Sequence, residues 1–192
     1  MVSMTKPDLW LNQDRLVTVE DLQNMPEDEF RYELDDGMLI VSPAPSPRHQ
    51  LVVTRLTVML FAACPDELAV LGGAGVNINK FQHRVPDVVV VRADWLDSDY
   101  GATPPLLAVE VASPRTRLYD RNRKKDVYEG FGIPAYWIVE PERDNPRLVA
   151  FELRDGKYET VAEVTGDEQF HATLPFSVTI RPSALVRVGP LD

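Results

Sequence analysis

The sequence predicts an α/β protein, a mixed β-sheet flanked by helices. Three observations carry that reading. First, Val88-Val89-Val90-Val91 and Leu106-Leu107-Ala108-Val109-Glu110-Val111-Ala112 are short apolar runs of strand length, the second bounded by Pro104-Pro105 and Ser113-Pro114. Second, Val52, Leu56, Met59, Leu60 and Ala63 recur at helical spacing and form an apolar stripe. Third, a strand at 106–111, a helix, and a strand at 136–139 follow one another in the order of a right-handed crossover between parallel strands. Packing helices on such a sheet buries the apolar face of each.

The elements follow in order. Thr18 is the N-cap of a short helix that starts at Val19. Arg31-Tyr32-Glu33-Leu34 and Met38-Leu39-Ile40-Val41 flank Asp35-Asp36-Gly37, and Asp-Gly between such runs predicts an N-terminal hairpin. Ser46-Pro47 supplies an N-cap and a first helical residue for a helix running to about Cys64. Strands are expected near 69–71, 75–79, 88–91 and 106–111. A second helix should begin around Tyr119-Asp120 and end at 130–132, before the strand at 136–139. Asp155-Gly156 predicts a C-terminal hairpin between 147–153 and 158–164, and 176–180 adds a last strand. With no internal repeat, residues 1–192 are expected to form one domain, a length that supports a sizeable core.

Composition narrows the classes. The single cysteine, Cys64, excludes an intrachain disulfide and cysteine-cluster zinc sites. The N-terminal residues lack an apolar stretch of signal-peptide length, and no run approaches the ~20 apolar residues that span a bilayer, so a cytoplasmic protein without membrane partners is the expectation. The net charge of −10 argues against bulk attraction to nucleic acid. The charge is unevenly placed, however. The stretch around Glu20, Asp21, Glu27–Glu29, Glu33, Asp35 and Asp36 is acidic, whereas Arg115, Arg117, Arg121, Arg123, Lys124 and Lys125 are interrupted only by Asp120. Such a local patch can bind phosphate on an acidic protein, and it also fits a solvated helix face.

Glu110 is the anomaly in this pattern. An unpaired, ionised carboxylate in a buried strand is very costly, so Glu110 must sit at a cleft, pair with a cation or hold a metal. Its neighbours on the same strand face are Ala108 and Ala112, small enough to leave room for a ligand. Asp87 stands at the mouth of the other apolar run, after Pro86. On the second helix Asp120, Lys124, Val127, Tyr128 and Phe131 share one face, and the apolar members turn that face inward. Lys124 should therefore point toward the sheet, while Lys125, on a stripe with Arg121 and Glu129, should face solvent. Two carboxylates and a lysine with no thiol ligand suit a hard divalent cation, Mg²⁺, with Mn²⁺ as a substitute. Such an ion activates water and stabilises charge on a phosphodiester, and the lysine can assist.

These residues resemble the PD-(D/E)XK nuclease superfamily, and more closely its Uma-type branch of candidate endonucleases. The resemblance rests on Tyr32-Glu33-Leu34-Asp35-Asp36-Gly37, Ser42-Pro43 through His49-Gln50, Pro86-Asp87-Val88-Val89-Val90, Val109-Glu110-Val111-Ala112-Ser113-Pro114, Asp120 with Lys124 and Tyr128, and Gly132-Ile133-Pro134-Ala135-Tyr136-Trp137-Ile138-Val139. It implies a restriction-endonuclease-like core, metal ligation by Asp87 and Glu110, and Lys124 as the catalytic lysine. The chain departs from the superfamily pattern where Ala112 replaces the lysine two residues after the Glu; in the resembled branch the lysine comes from the following helix. Glu33 and His49 also match family positions. Glu33 would complete the acidic cluster or is a hairpin surface residue; His49 would bind phosphate or shuttle a proton, or is a packed helix-start residue. Tyr128 and Trp137 read as core.

The expected function is a Mg²⁺-dependent DNA endonuclease in which Arg115, Arg117, Arg121 and Arg123 contact phosphates. By analogy, a homodimer would suit cutting both strands. Two rivals stand beside it: a catalytically idle nucleic-acid-binding or regulatory module on the same fold, and a hydrolase of a smaller phosphate ester.

Overall fold

The computed structural model describes residues 15–25, 30–98, 103–113 and 117–190, with the backbone alone at Arg117. In chain order the elements are α1 (Val19–Gln23), β1 (Arg31–Asp35), β2 (Met38–Ser42), α2 (Pro47–Ala63), β3 (Leu68–Gly72), β4 (Val76–Asn79), β5 (Gln82–Arg84), β6 (Val88–Arg92), a 3₁₀ turn (Ala93–Asp97) and β7 (Leu107–Val111). There follow α3 (Arg117–Tyr119), a π-helical turn (Asp120–Lys124), α4 (Lys125–Phe131), β8 (Ala135–Glu140), β9 (Arg147–Arg154), β10 (Lys157–Thr165), β11 (Phe170–Ala172), β12 (Val178–Ile180) and α5 (Pro182–Val186).

A six-stranded sheet forms the frame, in the order β10-β9-β8-β7-β6-β3. β7 and β8 run parallel, joined by the α3–π–α4 crossover, and the other neighbours in this sheet are antiparallel. The alternation of β7 divides the core. Leu107, Val109 and Val111 face α2, where they pack with Val52, Leu56, Leu60 and Trp137. Ala108 and Ala112 face the other way, toward Tyr128 of α4 and Tyr136 of β8. Glu110 has the parity of the alanines and lies on that second face. The helix that carries Lys124 therefore covers the face that carries Glu110.

The predicted elements are present, with differences that have physical reasons. The Asp36-Gly37 hairpin does not extend the main sheet; it builds a second, four-stranded sheet in the order β2-β1-β5-β4. The Asp155-Gly156 hairpin instead widens the central sheet at β9–β10. The strand expected at 75–79 begins at Val76, and that expected at 176–180 is Val178–Ile180, paired with β11. β5, β11, the 3₁₀ turn and α5 were not anticipated, since three to five residues are too few to display a period. Thr18 caps α1 as expected, in a reciprocal box with Asp21. Among the described residues no helix is long and apolar enough to cross a membrane.

The first hairpin depends on its glycine. Asp36 and Gly37 both have positive φ, 50° and 79°, as a type I′ turn requires. A Cβ on Gly37 would also lie 2.7 Å from the Cβ of Leu16. Gly37→Ala is expected to destabilise the protein by about 1–3 kcal/mol, from the left-handed backbone and local overpacking combined. Urea unfolding should show a lowered midpoint at unchanged slope, and an unaltered midpoint would contradict the account.

Candidate active site

The site is built where the two sheets meet. Glu110, near the end of β7, is 2% exposed. Its Oε2 lies 2.9 Å from Lys124 Nζ, and its Oε1 accepts a hydrogen bond of 2.7 Å from the Tyr128 hydroxyl. Lys124 Nζ also lies 3.7 Å from Glu33 Oε1 and 3.6 Å from Asp120 Oδ1. Lys124 thus points toward the sheet, as its helical spacing predicts. Lys125 does not lie free in solvent: it is half-buried with its ammonium 4.6 Å from the centre of the Phe151 ring.

The backbone holding Lys124 is unusual. Residues 120–124 form a π turn, wider than an α turn. The Tyr136 hydroxyl, from β8 below, donates to the Asp120 carbonyl at 2.9 Å and so ties the wide turn to the sheet. Asp120, Lys124 and Tyr128 are all buried beneath it.

Asp87 is placed by strand register. The β6–β7 ladder pairs Val88 with Val109, so continuing it by one residue sets Asp87 opposite Glu110. There the ladder has ended, and Asp87 Oδ2 accepts from the Val111 amide at 2.7 Å. His49 Nε2 lies 3.1 Å from the same oxygen, and Arg31 NH1 donates to Oδ1 at 3.0 Å. The Ser46 cap, which accepts from the His49 amide, and Pro47 fix His49 in the first turn of α2. His49 Nδ1 is buried and has no hydrogen-bond partner. Glu33, on β1, accepts from the Val85 amide at 2.8 Å, between β5 and β6. It is 3% exposed and belongs to the acidic cluster rather than to a hairpin surface.

The electrostatics record an excess of negative charge. Glu33, Asp87, Glu110 and Asp120 are buried, with Lys124 as the buried cation among them. Burial, reinforced by Asp87, Asp120 and Glu33 and opposed by Lys124, pushes the Glu110 carboxyl up to about 8. Burial acts against the charge on Lys124, but Glu110, Glu33 and Asp120 outweigh it and hold its ammonium protonated above the usual lysine range. Burial would likewise raise Asp87; the His49 contact, the Val111 amide and Arg31 reverse this and hold it below the usual carboxylate range.

The four arginines expected at phosphates fare differently. Arg115 lies outside the described residues, and so does the side chain of Arg117. Arg121 is bound to Glu140, with Nε 2.9 Å from Oε1. Arg123 grips Asp35, NH2 to Oδ1 2.7 Å, and also contacts Asp36. Sequence reasoning missed Arg31 as a partner of Asp87, and it assigned Tyr128 to the core alone. Tyr128 is buried, yet its hydroxyl serves Glu110. A buried tyrosine needing a partner four residues after an inward lysine was the available signal. It also missed the network around Asp35, which holds the fully buried Arg84 at 2.7 Å and accepts from Tyr119 at 2.9 Å.

Among the described residues no three His, Cys, Asp or Glu side chains are arranged as a ready metal-binding set. The donors fit a hard divalent ion in kind, however. Asp87 and Glu110 offer carboxylate oxygens at facing strand positions, and the surplus of buried carboxylate is what a divalent charge would relieve.

Comparisons with known proteins agree with this architecture. A family model named Uma2 and described as "Putative restriction endonuclease" matches residues 19–183. The crystal structure of "a putative nuclease belonging to DUF820" from Anabaena variabilis superposes with a TM-score of 0.65 at 15% identity, over 83% of this chain and 89% of that one. At that identity the likeness establishes the fold. No curated protein matches the chain.

Proposed function

The chain belongs to the Uma2 family, and from that premise we propose that it is a metal-dependent endonuclease that hydrolyses phosphodiester bonds in DNA. One observation carries the reading: Lys124, Glu110 and Asp87 come from three separate elements and meet at one buried edge between two sheets. Asp87 and Glu110 would hold Mg²⁺ or Mn²⁺, which when bound supplies Lewis-acid polarisation and a more acidic water. Lys124 remains protonated, so it orients the attacking water and stabilises negative charge gathering on the phosphoryl oxygens. Glu33 and Asp120, 3.7 and 3.6 Å away, help keep the ammonium in place. Arg31 and His49 sit against Asp87, where a phosphate entering the site would find the Arg31 guanidinium, while His49 holds the Asp87 carboxylate in place. Arg115, three residues after Ala112, and Arg117, the first residue of α3, would extend the phosphate contacts. Arg121 and Arg123 join them by exchanging an internal carboxylate for a phosphate.

The test is cleavage of supercoiled plasmid DNA and of circular single-stranded DNA by purified protein with Mg²⁺ or Mn²⁺, set against EDTA. Asp87→Ala should weaken Mn²⁺ binding by at least about 10–100-fold in calorimetry and abolish the metal-dependent cleavage. Metal-independent cleavage, or full activity in Asp87→Ala, would refute the assignment.

A second reading has an observation in its favour. The cations nearest the acids are already ion-paired, and the net charge is −10. A module that binds without cutting would show no Mn²⁺ heat dependent on Asp87 and Glu110, which separates it from the enzyme.

A further inference from the structure

A groove of about 590 Å³ opens beside the acidic centre, and the proposed chemistry does not account for its walls. Its inner end is Asp87 with His49 and Arg31. Its floor is α2, which presents Gln50, Thr54 and Thr57. Phe30, 42% exposed, stands at its rim. The volume is that of a small-ligand pocket and is sufficient for one nucleotide.

The charge distribution favours a polyanion along this path. α2 contains no acidic residue from Pro47 to Ala63, on a chain with 30 acids against 20 basic residues. Its first turn carries Arg48 and His49, and Arg31 joins them from β1. Elsewhere the arginines beside the site, Arg121 and Arg123, are occupied by Glu140 and Asp35. Among the described residues the arginines nearest the site are thus already ion-paired, which leaves less free positive charge for the two backbones of a duplex, whose binding rests on many neutralised phosphates. Binding of a single strand needs less: a narrow cationic tract for one backbone, an aromatic ring for a base, and uncharged polar groups. The groove supplies the Arg31 guanidinium, the Phe30 ring and the uncharged Gln50, Thr54 and Thr57.

Building on the nuclease reading, we propose that the groove over α2 receives single-stranded DNA, so that the substrate class is unpaired strands or frayed ends rather than intact duplex. One backbone phosphate lies against Arg31, and the adjoining base stacks on Phe30 between the rim and the Thr54 side of the helix.

Fluorescence anisotropy without divalent metal tests this apart from catalysis. A labelled 12-nucleotide single strand and a hairpin duplex of the same sequence are titrated with the full-length protein. The single strand should bind at least about tenfold more tightly. Phe30→Ala should weaken single-strand binding by about tenfold, the usual scale for one lost base stack. Thr54→Trp, at an exposed helix position, should fill the groove and reduce single-strand affinity as much, with an unchanged melting temperature for both variants. Duplex bound as well as single strand, neither DNA bound, or both variants binding like wild type would each overturn the proposal. Single-strand binding without any cleavage would uphold it while removing the nuclease reading.

Discussion

Lys124→Met should lower metal-dependent cleavage by about 10²–10³-fold, the scale for removing one preorganised donor to developing charge. Methionine keeps the length and much of the packing of lysine, so the change isolates the ammonium. The same substitution should destabilise the fold by about 3–5 kcal/mol, because Glu110, Glu33 and Asp120 would lose their shared buried cation. The two effects separate in the response to metal. In the variant the acids lack their cation, so Mn²⁺ should raise the melting temperature more than in the wild type. Lys125→Met is the control: its ammonium contacts the Phe151 ring and no acid of the cluster, so cleavage should be unchanged. Equal activity of the wild type and Lys124→Met would remove the lysine from the chemistry.

Asp35→Ala carries the second large effect, on stability. Arg84 is fully buried and Asp35 is its carboxylate, while Arg84 Nε and NH1 have no partner. Without Asp35 a buried guanidinium is left with only the Tyr119 ring, 5.6 Å away, at a cost of about 3–5 kcal/mol. The loss also frees Tyr119, just before the π turn, and takes one of two carboxylates from Arg123 within it, so the turn is held less firmly to β1. The ion-pair account has a pH signature. Burial would raise the Asp35 carboxyl, but hydrogen bonds from Arg123, Gln82 and Tyr119 and the charge of Arg84 outweigh it and hold the pKa far below the usual range. A depressed folded pKa gives stability that is fully present above the unfolded value of about 4 and lost as the pH falls toward the folded value. The stability gap between the wild type and Asp35→Asn in urea should therefore narrow on acidification below about pH 4. A gap independent of pH would show that shape, not charge, holds Arg84.

Much of the frame was legible because it follows periods. β7 alternates, α2 carries its stripe, and the inward face of the crossover helix separates Lys124 from Lys125. What the sequence did not display depends on distance in space rather than along the chain. Asp35 meets Arg84 and Arg123 across 49 and 88 residues. Arg31 meets Asp87 across 56. β5 is three residues long and buries Gln82 and Arg84, polar side chains that read as a loop. The expectation of phosphate-binding arginines came from counting charge along a helix. That count cannot register Glu140 or Asp35, which approach from other strands and already hold Arg121 and Arg123.

The π turn has one more consequence, concerning chain length. A π turn spends about one residue more than an α turn over the same helical path. The surplus is absorbed locally, so the helix on either side keeps its face toward the sheet. Asp120 and Lys124 before the junction and Tyr128 after it can then all look down on Glu110. The turn thus lets the helix carry a longer stretch of chain over Glu110, with the Tyr136 hydroxyl closing the carbonyl at Asp120.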